Sequence, residues 1–178
     1  PLGVRPAAVS LRPRILPAGP PEPAGGRAGF DEAWQELRTA LDGEVARAVS
    51  AAPRLSLPLG RWLAHEVVLV AHDQMAGVGA RAAARIGLPQ TTFARRLRHA
   101  ETDRSLTARP ATWIAVKAAL TAIVAAPDLP SLALADRVEA LLLEVVLAHA
   151  PTPIAYAAAL MGLSPPTMKQ RLATRVAS

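Results

Sequence analysis

The sequence predicts an all-α fold assembled from two tandem copies of one helical module. Hydrophobic residues make up 51% of the 178 residues, but aromatics only 3%. Ala, Leu and Val dominate, which suits close packing of helices; Ala is also the best helix former. A sheet protein would draw more on β-branched and aromatic residues. Apolar residues recur at helical spacing through most of the chain. Finally, residues 82–97 read AAARIGLPQTTFARRL and residues 157–172 read AAALMGLSPPTMKQRL, a repeat at an offset of 75 residues with no gap.

Taken in order, residues 1–29 are dense in Pro and Gly and are expected to form a flexible tether. The first module is expected over 30–104. Asp31 is a candidate N-cap, and Leu37, Leu41, Val45 and Val49 form one apolar stripe ended by Pro53. A second helix is expected over 61–76, with Leu63, Val67 and Val70 on one face and Gly77 and Gly79 as breaks. A short helix over 80–86, a turn at Gly87-Leu88-Pro89 and a helix over 90–101 complete the module. The second module, 105–178, repeats this order. Pro110 is expected to start a helix carrying Trp113, Val116, Leu120 and Ile123, and Pro127 to end it. Trp34 aligns with Trp113 if this helix is about one turn shorter than its counterpart. Leu63, Val67 and Val70 align with Val138, Leu142 and Val145.

The repeated segment has the spacing of a helix-turn-helix. Two short helices that cross tightly need a small residue at the crossing, supplied by Ala83 and Ala158. Their turn needs a residue tolerant of positive φ, supplied by Gly87 and Gly162. Ala82, Ile86, Leu88, Phe93 and Leu97 would be the buried anchors of the first copy. Ala157, Met161, Leu163, Met168 and Leu172 would be those of the second. The outer face of the last helix is then available to a major groove.

Arg81-Ala82-Ala83, Ile86-Gly87-Leu88, Thr91-Thr92 and Arg95-Arg96-Leu97, at this spacing after a long helix pair, resemble the Fis-type DNA-binding domain. That domain also closes NtrC-type enhancer-binding activators. The resemblance covers roughly 61–100 and 136–175. It implies two tandem Fis-like modules, a homodimer formed through the long helices, and double-stranded DNA as the partner of the last helix. In activators of this type an ATPase domain comes first; the chain has no Gly-x-x-x-x-Gly-Lys-Ser/Thr phosphate loop. The start at Pro1, without a methionine, is what a fragment of a longer protein with such an upstream domain would show.

Carried over residue by residue, the resemblance implies phosphate contacts from Arg81 and Thr92 and a basic pair at Arg95 and Arg96. Arg98 would add a further phosphate contact, which fixes position rather than sequence. Gln90, Thr91 and Arg95 are the candidates for reading bases, since Gln suits adenine and Arg guanine. The second copy has Tyr156 in place of Arg81. It begins its last helix with Ser164-Pro165-Pro166, a good cap and first turn that presents few hydrogen-bonding side chains. Thr167, Lys169, Gln170 and Arg171 remain. The candidate DNA-binding set is therefore Arg81, Gln90, Thr91, Thr92, Arg95, Arg96 and Arg98, with Thr167, Lys169 and Arg171 in support.

Charge agrees with a polyanionic partner. The net charge is +6, and residues 81–109 hold seven Arg against Glu101 and Asp103. Without cysteine there is no disulfide framework and no thiolate metal site. His65-Glu66 and His72-Asp73 lack the His-Glu-x-x-His spacing, so no metal and no other cofactor is expected. The tryptophans lie at helical apolar positions and are expected in the core or a dimer contact. No convergent catalytic set is visible, so no enzyme is expected. Neither a membrane span nor a signal peptide is apparent, which suits a cytoplasmic, nucleoid-associated protein. The leading expectation is a bacterial-type transcription regulator that contacts DNA mainly through its first helix-turn-helix. The alternative is a helical dimerisation or protein-interaction module that regulates a transcription factor or polymerase component without touching DNA.

Overall fold

The computed structural model describes residues 29–51, 57–127, 129, 133–149 and 153–176, with side chains as far as Ala173. The tether, apart from Gly29, and Pro53 as a helix stop lie outside the described residues. Among those described the chain is all-helical, with eight helices: α1 (Phe30–Ser50), α2 (Leu59–Gln74), α3 (Gly79–Arg85), α4 (Gln90–Leu106), α5 (Trp113–Ala125), α6 (Leu134–Ala148), α7 (Ile154–Met161) and α8 (Pro165–Val176). The starts of α2, α3 and α4 recur 75 residues later as those of α6, α7 and α8.

Several boundaries differ from expectation for local reasons. The N-cap of α1 is Gly29, and Asp31 sits in the first turn, where its charge favours the helix dipole. Gly79 opens α3 rather than breaking a helix; the break is Ala76-Gly77, both at positive φ (52° and 76°). Pro110 does not begin a helix itself. Its carbonyl accepts from Trp113 N at 2.9 Å, and α5 starts there. Pro127 acts through the preceding residue: Ala126 is extended (φ −60°, ψ 130°), as the residue before proline tends to be. α5 has 13 residues against 21 in α1, so it is shorter by about two turns rather than one.

The packing crosses between halves. α1 packs mainly on α5 and α6, and α2 packs on α5 and α6 as well as on the α3–α4 pair of its own half. Neither first helix uses the second helix of its own half as its main partner. Exchanging α1 with α5 and α2 with α6 maps this set of contacts onto itself, so the four long helices form a pseudo-twofold core. Leu37, Leu41 and Val45 on α1 are fully buried within one chain, as are Val116, Leu120 and Ile123 on α5. The apolar stripe of α1 is thus covered by the chain itself. A single buried cluster runs from Phe30 to Met168 through both halves. The sequence boundary at 104/105 falls inside α4, which continues to Leu106.

Candidate nucleic-acid interface

Each half ends in a short helix pair hung on this core. In the first, α3 stops at Ile86, Gly87 takes φ 71°, and Leu88 N returns to Ala83 O at 2.9 Å. In the second, Gly162 takes φ 68° and Leu163 N returns to Ala158 O at 2.8 Å. An L-residue with a Cβ is strained at either glycine. Ala82, Ala83, Ile86 and Phe93 are buried in the first pair, and Ala157, Ala158, Met161 and Met168 in the second. Leu88, Leu97, Leu163 and Leu172 are half-buried against the same core.

The helix starts differ as their sequences require. Pro89 precedes α4 with no side-chain cap, and its carbonyl accepts from Phe93 N at 2.9 Å. Before α8, Ser164 Oγ accepts from Thr167 N at 3.4 Å and lies 2.8 Å from Thr167 Oγ1.

The candidate residues divide by the direction their side chains take. Phe93 and Ala100 turn α4 inward, which leaves Gln90, Thr91, Arg95 and Arg98 exposed. Thr91, Arg95 and Arg98 lie in one row along the helix. Arg81 is exposed on α3. Among the described residues, no acid forms an ion pair with Arg81, Arg95 or Arg98. Thr92 and Arg96 are half-buried. Arg96 lines a cavity of about 20 Å³ with residues of α2 and α6, including Glu139. It therefore does not share the outward face of Arg95. Its counterpart 75 residues on, Arg171, forms an ion pair with Glu139. Thr167 is also half-buried at its cap; Lys169 and Arg171 are both exposed, but only Arg171 of the two is ion-paired among the described residues.

Two arginines of the basic segment serve the fold. Arg85 on α3 donates through Nε to Val124 O at 2.9 Å and through a terminal nitrogen to Ala126 O, at the C-terminal end of α5. The second half makes the matching connection with different chemistry: Tyr156 on α7 donates to Ala48 O of α1 at 2.9 Å. Each helix pair is thus tied to the last turns of the other half's first helix. Arg109 donates to Asp103 at 2.8 Å and to Thr107 O at 2.7 Å, with its guanidinium 5.3 Å from the Trp62 ring centroid.

Asp103 gathers charge at the end of α4. His65 Nδ1 lies 3.1 Å from it and Arg61 3.6 Å. Burial alone would raise its carboxyl, but hydrogen bonds from His65 and Arg109 and the charges of Arg109 and Arg61 outweigh this and hold it below its ordinary value. Beneath, Glu66 is buried and accepts from Trp113 Nε1 at 3.2 Å, while Trp62 and Trp113 meet edge to face. Trp62 and Trp113 are core, as expected, whereas Trp34 is half-buried and stacks on Phe30. His65 and Glu66 are engaged in these contacts. Among the described residues no three His, Cys, Asp or Glu come together as a metal site, and no helix is long and apolar enough to cross a membrane.

The sequence did not reveal the roles of Arg85, Tyr156 and Asp103. One signal was present: position 85 is Arg in the first copy and Leu in the second, while position 81 is Arg and its counterpart Tyr. The two copies divide the work of tying down between different positions. In comparison with known proteins, no family model, no curated protein and no solved structure matches the chain.

Proposed function

We propose that the chain is a DNA-binding regulator of transcription that contacts double-stranded DNA through the exposed face of α4 and the start of α3. The observation that carries this reading is the outward row Thr91, Arg95 and Arg98 on α4, with Gln90 exposed at the helix start, Arg81 exposed on α3, and no acid paired to these arginines among the described residues. Unpaired cations in a row suit the phosphate backbone, and each contact made releases counterions. In this reading Arg81 and Arg98 hold phosphates, with Thr92 at the margin, while Gln90, Thr91 and Arg95 face base edges. Arg96 supports α4 from behind. On the second pair α3 and α4 are matched by α7 and α8, where Lys169 supplies a subsidiary contact.

Two helix pairs on one pseudo-twofold core make a frame that one chain supplies alone. The helix-turn-helix assignment of both pairs rests on their short helices, left-handed glycines and buried crossing alanines. A gel shift on random-sequence duplex tests the reading. Arg95→Ala with Arg98→Ala is expected to weaken binding at least tenfold at moderate salt. Unchanged affinity would refute it. The alternative, a protein-interaction module, draws support from Arg171, whose charge is committed to Glu139. It predicts no salt-sensitive DNA binding by the wild-type chain.

A further inference from the structure

α5 is apolar over most of its circumference. Of its thirteen residues only Lys117 is charged, and only Thr121 is otherwise polar. A helix hydrophobic all round is normally buried all round. Here the inner face is buried on α1 and α2, but Ile114 is 73% exposed, and Ala115 and Ala118 are exposed beside it. Ala118 lines two open grooves. One, about 500 Å³, runs along α5 past Ile114 and Lys117. The other, about 730 Å³, lies between α5 and α1 and is edged by Glu32 and Glu36.

The charges at the edges say what fits. Glu32 and Glu36 are one helical turn apart on α1, and Lys117 lies across the apolar strip from them. Among the described residues none of these three has an ion-pair partner. A twofold whose axis runs along the strip brings the same patch from both chains together so that residues on one edge meet those on the other. We propose that this face binds a second copy of the chain: α5 packs against the partner's α5, Ile114 enters the groove beside Ala118, and Lys117 faces Glu32 and Glu36. Small residues at the strip allow the helices a close approach. This dimer does not use the buried stripe of α1, and it is independent of the DNA reading.

Sedimentation equilibrium over a concentration series of the full chain tests it. The wild type is expected to dimerise at micromolar to tens-of-micromolar concentration. Ile114→Glu is expected to raise the dissociation constant about tenfold or more, with an unchanged circular-dichroism melt because the side chain lies outside the core. Lys117→Glu alone, and Glu32→Lys with Glu36→Lys, are each expected to weaken self-association several-fold. Mixing the two charge variants is expected to restore a dimer of one of each. A mass that stays monomeric through about 200 μM, well above the expected dissociation constant, would overturn the proposal. So would a dimer that tolerates Ile114→Glu, or one whose charge variants fail to rescue each other.

Discussion

Arg85 and Arg95 have the same side chain in the same basic segment, yet they do opposite things. Arg85 spends its donors on the carbonyl ends of α5, and Arg95 keeps its own for solvent or a ligand. Spacing along the chain carried the overall charge of this segment but not this division, because the acceptors of Arg85 lie about forty residues away in sequence. The same holds for Asp103, which the sequence offered only as an acid diluting a basic stripe. Its folded carboxyl is held below the ordinary range, so the stability it contributes is present above the unfolded value of about 3.9 and is lost as pH falls through the folded value. Asp103→Asn is expected to lower stability at neutral pH by about 1–3 kcal/mol and to flatten the acid limb of a melting-temperature profile. Glycines separate in the same residue-specific way. A Cβ at Gly60 would lie 2.2 Å from Met161 O, whereas at Gly43 it meets nothing within 4 Å. Gly60→Ala is therefore expected to destabilise the chain, and Gly43→Ala, inside α1, to stabilise it by up to about 1 kcal/mol in chemical denaturation.

The helices themselves were largely legible, since apolar period, glycine and proline mark those of the first half and the 75-residue repeat carries their order to the second. Their ends were less so. α4 runs five residues beyond the expected stop at 101, and there Asp103 meets His65 of α2, a partner that no local signal announces. The orientation of each helix pair was not legible at all. Each pair is tied to the core by a contact distant in sequence, Arg85 to α5 and Tyr156 to α1. The chain has no cysteine, so paired spin labels at Ala94→Cys and Lys169→Cys can report the separation of α4 and α8 directly. A narrow distance distribution is expected in the otherwise unaltered chain. Arg85→Met and Tyr156→Phe should each broaden it at temperatures well below melting. No broadening would mean that packing alone sets the orientation.

At the scale of the whole molecule, the all-helical class followed from composition and period, and the 75-residue repeat announced a duplication. How the two copies are joined did not follow. A repeat in sequence is compatible with two separate modules or with halves that complete each other, because burial within either arrangement demands the same apolar stripes. The structure has the second arrangement: α1 covers α5 and α6, and the core is shared. Residues 30–104 and 105–178 expressed separately are expected to show weak helicity and no cooperative melt, and to recover both on mixing. On this shared core the two copies carry unequal outer faces, with exposed Arg81, Arg95 and Arg98 on the first pair and an ion-paired Arg171 on the second. The claim that this inequality is functional is tested most directly by the salt dependence of affinity for a labelled duplex, read by fluorescence anisotropy. Arg95→Ala with Arg98→Ala is predicted to make the log–log slope shallower by about two, and Lys169→Ala with Arg171→Ala by about one at most. Equal changes from the two pairs, or an unaltered slope in the first, would contradict the account.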